Sequence, residues 1–321
     1  MSATEAALEA GGDPEICAPE AAAKRILTGI GYGFEFGIKN KYKFDVSHEA
    51  IRGDNNPDNV EGIPPGVDFY AFGCDFFRPV MDLEKSVILG QDNLKIAIEE
   101  QLAKGENVVL LANHQSEADP QVVSCCLEKA GYGKAAADMV YVAGHKVTTD
   151  PLAIPFSMGR NLICIHSKKH IDADPETKPA KQRQNLKSMN HLLTKFKEGG
   201  CLLWVAPSGG RDRRNVETGE VPIAPFDSKT IDIFRLMGNK SKVKTHYYTL
   251  AMVSYDLCPP PDFVEAGVGE ERNVRFVPVG IAMGDEVESV GGLEGRKEFC
   301  KHAMEQCDAD YKKLLAEISK Q

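Results

Sequence analysis

The sequence lacks any hydrophobic run long enough to cross a membrane as a helix. Its longest apolar stretches, such as residues 108–112 and 201–206, have only the length of a buried β-strand. A membrane-spanning helix needs about 18–20 apolar residues in succession. We therefore expect no transmembrane segment, and at most peripheral contact with a membrane surface.

The chain also lacks an excess of basic residues. It has 38 Lys and Arg residues against 47 Asp and Glu residues, which gives a formal net charge of −9. Nucleic-acid binding requires a basic surface that faces the phosphate backbone. We therefore exclude nucleic acid as a general partner, although a local basic cluster can still bind a small phosphate compound.

Cysteine pairs and metal-ligand spacings are missing as well. The nine cysteines include no C-x-x-C pair, so we expect buried thiols in a reducing compartment. His145, His191, His246 and His302 show no ligand-like spacing, which predicts no metal site and no cofactor held by one. The first 23 residues contain five acidic residues and no Lys or Arg, the reverse of a transit peptide. We expect either no targeting segment or one removed before this numbering begins.

The sequence does contain a regular alternation of strand and helix patterns. Apolar runs of strand length, typical of buried strands, occur at 108–112, 139–143, 162–166, 201–206, 247–254 and 274–283. Helical patterns lie between and after them, at 93–104, 120–130, 176–197 and 294–318. The alternation predicts an α/β fold with a mixed, largely parallel sheet flanked by helices.

The N-terminal part of the chain does not share this alternation. An Ala-rich stretch at 15–27 predicts a weak helix, which glycines 29, 31 and 33 should end. Residues 53–66 are dense in turn formers and predict a loop. We therefore expect a short helical segment at 1–45, with one or two helices, and a single α/β domain at 46–321.

The first candidate site is the segment NHQSEADP at 113–120. His114 follows a predicted strand, and Asp119 with Pro120 opens the next helix, so His114 lies at a strand's carboxyl end. A tight loop can fold the Asp119 carboxylate back onto the imidazole, fix its tautomer and make His114 a general base. The alternative is a helix-capping aspartate beside an ordinary loop histidine.

The second candidate site consists of two basic segments, SKKH at 167–170 and PSGGRDRR at 207–214. Each follows a predicted strand, so a parallel sheet would place both at the same edge as His114. Gly209 and Gly210 allow close approach of the backbone to a ligand, and Arg and Lys are suited to phosphate. The alternative is that these are solvated basic loops. Ser208 lacks the G-x-S-x-G context of a hydrolase nucleophile.

Three segments together resemble the soluble plastid glycerol-3-phosphate acyltransferases of plants and algae: NHQSEADP at 113–120, the long stretch at 140–170 and LLWVAPSGGRDR at 202–213. The similarity extends from about Phe69 to the C-terminus. Membrane-bound glycerolipid acyltransferases carry Phe-Pro-Glu-Gly where this chain has Ala-Pro-Ser-Gly at 206–209, which favours the soluble branch.

The resemblance implies the glycerolipid acyltransferase fold, with 46–321 as the catalytic domain. It implies transfer of a fatty acyl group from acyl-acyl-carrier-protein, or from acyl-CoA, to the sn-1 hydroxyl of glycerol 3-phosphate, in the plastid stroma and without a cofactor. His114 and Asp119 take the positions of the family's catalytic pair. The positions of its glycerol-3-phosphate site fall on Lys169, His170, Arg211 and Arg213.

The mechanism that the resemblance implies also requires donors for a tetrahedral oxyanion, and the backbone N–H groups at the helix start near Pro120 are candidates. Two other functions stay open on the sequence alone. One is a non-catalytic protein that binds a phosphometabolite or lipid on the same scaffold, which would not need His114 with Asp119. The other is a hydrolase of acyl thioesters that uses the same histidine.

Overall fold

The computed structural model describes residues 2–56, 62–167, 171–172, 174–260, 273–289 and 292–321. Their strands form one sheet in which eight strands are described. These strands are β1 (Ser47–His48), β2 (Val87–Leu89), β3 (Asn107–Ala112), β4 (Val140–Gly144), β5 (Asn161–Ile165), β6 (Leu202–Val205), β7 (Thr245–Val253) and β8 (Gly280–Glu286).

The strand order across the sheet is β1-β5-β4-β6-β3-β7-β8-β2. The central strands β5, β4, β6, β3 and β7 are parallel to one another. β8 runs antiparallel to β7, and β1 runs antiparallel to β5. The predicted mixed, largely parallel sheet is therefore confirmed. Because their strands are parallel, the loops that follow β3, β4, β5 and β6 all leave the sheet at the same edge.

Helices cover both faces of this sheet. They are α1 (Ala3–Glu9), α2 (Pro14–Cys17), α3 (Pro19–Tyr32), α4 (Phe69–Phe77), α5 (Gln91–Lys95), α6 (Asp119–Lys129), α7 (Gly133–Asp138), α8 (Ile154–Met158), α9 (Lys178–Glu198), α10 (Ser228–Ser241) and α11 (Gly292–Ile318). α3 continues as a π-helix at Gly33–Lys39, and α5 continues through Ile96–Gln101 to Leu102–Lys104.

Side chains of β3 alternate between two hydrophobic cores, as the two-residue period of a strand requires. Leu110 and Ala112 pack in the core that includes Val122 and Leu127 of α6. Val109 and Leu111 pack in the core that α9, α10 and α11 cover on the other face. The sheet is thus buried on both sides, which explains why its strands appear in the sequence as continuous apolar runs.

The N-terminal segment differs from its prediction. It contains three α-helices rather than one or two, and the chain stays helical through Gly29 and Gly31 and continues as a π-helix from Gly33. Gly33 instead allows close packing, because a Cβ there would lie 2.8 Å from the carbonyl oxygen of Pro151. At Gly29 a Cβ would lie 3.4 Å from the Phe72 ring. Gly29 and Gly33 therefore permit close approach to Phe72 and Pro151.

Other expectations from the sequence hold in the described residues. The nine cysteines are all buried and none forms a disulfide. Within the part of the chain that the structure describes, no helix has the length and apolar character needed to span a bilayer. Residues 53–56 and 62–66 of the predicted 53–66 loop belong to no helix or named strand, and 57–61 fall outside the described residues.

Candidate active site

The segment between β3 and α6 wraps around the carboxylate of Asp119. The backbone N–H of Gln115 donates to Asp119 Oδ2 at 2.8 Å, and that of Ser116 donates to Asp119 Oδ1 at 3.0 Å. His114 Nδ1 lies 2.7 Å from Asp119 Oδ2. The five-residue spacing thus brings the imidazole and the carboxylate into direct contact, through a loop that closes back onto the first residue of the helix.

Asp119 is fully buried, yet its oxygens are well supplied with donors. In addition to the three groups above, the Ser254 hydroxyl donates to Asp119 Oδ1 at 2.6 Å. A buried carboxylate requires such partners, since an unpaired buried charge is strongly destabilising. Ser254 directly follows β7, so a residue 135 positions further along the chain holds the carboxylate from the neighbouring strand.

The contact with Asp119 determines which nitrogen of His114 carries the proton. An ionised carboxylate can only accept a hydrogen bond, so a neutral imidazole donates from Nδ1 and keeps a lone pair on Nε2. The ring packs edge to face against Trp204, with a centroid distance of 5.8 Å and an interplanar angle of 83°. Its side chain is 28% exposed, while that of Asp119 is inaccessible. This arrangement is that of an oriented base.

The arginine-bearing segment contacts the His114 loop directly. The backbone N–H of Asp212 donates to the carbonyl oxygen of His114 at 2.5 Å. Arg211 and Arg213, the neighbours of Asp212, are half-buried and exposed respectively. The structure thus places the two arginines beside the loop that carries the imidazole, at the edge where β3 and β6 end.

The other two predicted phosphate-binding residues, Lys169 and His170, lie outside the described residues. The strand that precedes them, β5, ends at Ile165 on the same edge of the sheet as β3 and β6. Ser167 and Ile171, on either side, are both described.

Sequence reasoning missed three residues that shape this site. They are Asn113, Asp212 and Ser254. Asp212 is fully buried, and the loss of solvation raises the pKa of its carboxyl to about 6. In the sequence, the alternation Arg-Asp-Arg at 211–213 is the signal that could have marked Asp212 as a buried acid between two more accessible arginines. Nothing local marks Ser254, because its partner is distant in sequence.

The family model described as Acyltransferase matches residues 93–253, which include both β3 with its loop and the arginine segment. The match spans half of the chain, and the protein therefore belongs to this acyltransferase family.

Within curated proteins, the chain is 38% identical over 269 residues to the chloroplastic glycerol-3-phosphate acyltransferase of Arabidopsis thaliana, covering 83% of this chain and 56% of that protein. It is 40% identical over 250 residues to the enzyme of the same name from Spinacia oleracea, covering 78% and 50%. The chain thus spans about half the length of these relatives. The solved 1-acyl-sn-glycerophosphate acyltransferase PlsC of Thermotoga maritima aligns at 14% identity, over 76% of this chain and 78% of that one, with a TM-score of 0.43. That last similarity is too low to support a conclusion.

Proposed function

We propose that the protein is a glycerol-3-phosphate 1-O-acyltransferase. It transfers a fatty acyl group to the sn-1 hydroxyl of glycerol 3-phosphate and yields 1-acyl-glycerol 3-phosphate. The observation that supports this most directly is the 2.7 Å contact between His114 Nδ1 and the buried Asp119, in a loop hydrogen-bonded to the arginine segment. The chloroplastic glycerol-3-phosphate acyltransferases at 38% and 40% identity favour the same activity.

In the proposed reaction, His114 is the general base. Its Nε2 removes the proton from the sn-1 hydroxyl while that oxygen attacks the thioester carbonyl. Asp119 stabilises the imidazolium that forms, because its carboxylate accepts the Nδ1 proton's hydrogen bond. The tetrahedral intermediate then collapses, the C–S bond breaks, and His114 returns the proton to the leaving thiolate. General base catalysis of this kind contributes about 10²–10⁴-fold to the rate.

The phosphate of glycerol 3-phosphate is bound by cationic side chains in this proposal. Arg211 and Arg213 supply planar donors that match phosphate oxygens, and Lys169 and His170 add positive charge. Anchoring the phosphate leaves the hydroxyl at the far end of the three-carbon chain to reach the imidazole. The specificity for a small polyol phosphate follows from the separation between the cations and the base.

The backbone N–H groups at the first turn of α6, the candidates for oxyanion donors, already have backbone acceptors. The N–H of Asp119 donates to the carbonyl oxygen of Ser116, and those of Gln121 and Val122 donate to that of Ala118. Pro120 has no N–H. Each of these backbone donors is therefore occupied or missing, and the oxyanion must be stabilised by other groups.

The donor, the compartment and the domain roles belong to the same proposal. The acyl donor is acyl-acyl-carrier-protein or acyl-CoA, and the site of action is the plastid stroma; the relatives' names support a chloroplast location. Residues 46–321 form the catalytic domain, and the helical segment at 1–45 is an addition to it. No cofactor takes part, and peripheral contact with a membrane serves release of the lipid product.

The test is an assay of the purified chain with glycerol 3-phosphate and each thioester donor in parallel. We expect 1-acyl-glycerol 3-phosphate, identified by mass spectrometry, in amounts that match the free thiol released. Free fatty acid without acylated glycerol phosphate would instead identify a thioester hydrolase. No thiol release with either donor, combined with binding of glycerol 3-phosphate, would favour a non-catalytic binding protein.

A further inference from the structure

The segment that carries Arg211 and Arg213 has no helix or strand to hold it in place. Residues 206–227 connect β6 to α10 without regular secondary structure, and Arg213 is exposed. Phosphate binding beside a base nevertheless needs cations at a fixed distance from that base. Something other than backbone ladders must therefore position the two arginines.

Asp212 makes three of the contacts that fix this segment. Its backbone N–H donates to the His114 carbonyl oxygen at 2.5 Å, and its Oδ2 accepts from Asn113 Nδ2 at 3.0 Å. Its Oδ1 accepts the backbone N–H of Ala224 at 2.8 Å, from the far side of the same segment. The fully buried Asp212 thus connects two parts of the arginine segment, at 212 and 224, to Asn113 and His114.

Asn113 is itself held by hydrogen bonds to β7, so the Asp212 carboxylate that it contacts is tied to the sheet. Its Oδ1 accepts the backbone N–H of Met252 at 2.7 Å, and its Nδ2 donates to the Met252 carbonyl oxygen at 3.1 Å. Met252 lies in the long strand β7. Through Asn113, the Asp212 carboxylate is therefore held by β3 and β7, the same two strands that hold His114 and Ser254.

A second tether reaches the same segment from α11. The Tyr311 hydroxyl donates to the carbonyl oxygen of Val221 at 2.9 Å and accepts from Gln115 Nε2 at 3.1 Å. The Gln115 Oε1 accepts the backbone N–H groups of Ser254 and Tyr255. The arginine segment is thus tied to the loop that contains His114 at Asp212, between its two arginines, and at Val221, beyond them.

We propose that Asp212 is a positioning residue that sets the distance between the phosphate-binding arginines and the His114 imidazole, with Tyr311 as a second tether. The inference rests on the proposed function, since it takes Arg211 and Arg213 as phosphate ligands. Asp212 itself does not touch substrate. Its burial between two more accessible arginines lets it face the protein interior while its neighbours lie closer to the surface.

The hydrogen bonds of the Asp212 side chain require a carboxylate. Both oxygens accept from N–H donors, Ala224 on one side and Asn113 on the other. An amide in the same place offers one acceptor and two donors, so Asp212→Asn brings an N–H against an N–H at one of the two contacts. The substitution therefore loosens the segment without changing the size of the side chain.

The test compares steady-state kinetics of the full chain and its variants. We expect Asp212→Asn to raise KM for glycerol 3-phosphate about tenfold while KM for the acyl donor changes less than twofold. Tyr311→Phe removes one hydroxyl and keeps the ring, and we expect a smaller shift of about threefold in the same KM. If Asp212→Asn does not fold, Tyr311→Phe decides alone.

The matched control is Tyr247→Phe. Its hydroxyl is also buried and donates to the carbonyl oxygens of Phe234 and Arg235 in α10, away from the arginine segment. We expect it to leave both KM values unchanged. Unchanged KM for glycerol 3-phosphate in both test variants, or an equal rise in KM for both substrates, would overturn the positioning role.

Backbone hydrogen exchange separates this inference from the proposed function. If the wild-type chain acylates no glycerol phosphate, the proposed function fails. The positioning role of Asp212 is then tested by the rate of backbone hydrogen exchange at 208–215, which we expect to be faster in Asp212→Asn than in the wild type. Unchanged exchange there in the variant refutes this role whatever the activity of the enzyme.

Discussion

At the scale of single residues, the site depends on the hydrogen-bond donors that contact the buried carboxylate of Asp119. Four donors contact its carboxylate, and only three of them, from His114, Gln115 and Ser116, belong to the same loop. The local three could be anticipated from the spacing, because a loop of this length can close on its own helix cap. The fourth, from Ser254, could not, since it depends on the pairing of β7 with β3.

Replacement of the proposed base should abolish turnover and spare substrate binding. We expect His114→Ala to reduce kcat by about 10²–10⁴-fold, because no other group then removes the hydroxyl proton. The Kd for glycerol 3-phosphate, measured by calorimetry, should change less than twofold. His302→Ala, at an exposed position of α11, is the control and should keep full activity. Retention of more than a tenth of the wild-type kcat by His114→Ala would rule out His114 as the base.

The Ser254 hydroxyl should matter for catalysis because it contacts Asp119, the partner of the proposed base. Ser254→Ala removes a donor 2.6 Å from the buried Asp119 oxygen, and hydrogen bonds to charged groups contribute about 1.5–3 kcal/mol. We expect kcat to fall about tenfold with little change in either KM. Ser241→Ala, which removes a buried hydroxyl at the end of α10, should leave kcat unchanged. Equal kcat values for the two variants would show that Ser254 has no part in orienting Asp119.

At the scale of elements, the sequence predicted the central strands well and the glycine-containing helices poorly. β3 and β6 are buried at every position and β4 and β5 in part, and each appears as a mostly apolar run. The continuation of α3 through its glycines and the existence of α10 both depend on tertiary packing. Glycine lowers helix propensity in isolation, but at Gly33 and Gly238 a neighbouring residue occupies the space that a side chain would need.

The C-terminal strand shows a different kind of error. The apolar pattern predicted a strand at 274–283, whereas β8 is Gly280–Glu286. The last residues of β8 are polar and exposed, yet they pair with β7 through an irregular register between Tyr248 and Leu250. The pairing with β7, rather than hydrophobicity, sets the boundaries of β8. The pairing cannot be deduced from a single sequence.

Two helical glycines offer a direct comparison of these packing effects. A Cβ at Gly238 in α10 would lie 2.3 Å from the Tyr247 hydroxyl oxygen, whereas one at Gly31 in α3 would meet nothing within 4 Å. We expect Gly238→Ala to lower the free energy of unfolding by about 1–3 kcal/mol through overpacking. Gly31→Ala should instead raise it by up to about 1 kcal/mol through helix propensity. Urea denaturation measures both, and a change of the same sign in the two variants would contradict this explanation.

At the scale of the whole molecule, the two ends of the parallel strands have different uses. The candidate site occupies the edge where β3 and β6 end. At the opposite edge, where β3 and β7 begin, the buried His246 lies between Glu106 at 2.7 Å and Glu286 at 2.6 Å. The second histidine–carboxylate cluster therefore links β7 to β8 and to the residue that precedes β3. Parallel topology could be predicted from the sequence, and it accounts for the common edge of His114 and the arginine segment. The position of Lys169 and His170, which lie outside the described residues, stays a prediction.

The global stability of the protein should depend on pH through Asp212. Burial raises the pKa of this carboxyl from an ordinary value near 3.8 to about 6, so the folded state binds its proton more tightly than the unfolded state does. The stabilisation due to protonation is present in full below pH about 4 and is lost as pH rises through about 6. Asp212→Asn has no such proton to release.

We therefore expect the difference in unfolding free energy between the wild type and Asp212→Asn to shift with pH. Between pH 5 and pH 7 the wild type should lose about 1 kcal/mol relative to the variant, after which the difference should level off. The loss of hydrogen bonds in the variant adds a constant offset and does not alter this slope. Urea denaturation of both proteins at half-unit pH steps measures it, with Asp256→Asn, at an exposed carboxyl paired with Arg214, as the control. A difference that stays constant from pH 5 to pH 7 would mean that Asp212 does not titrate in this range, and its buried carboxylate would then be fully compensated by Asn113 and Ala224.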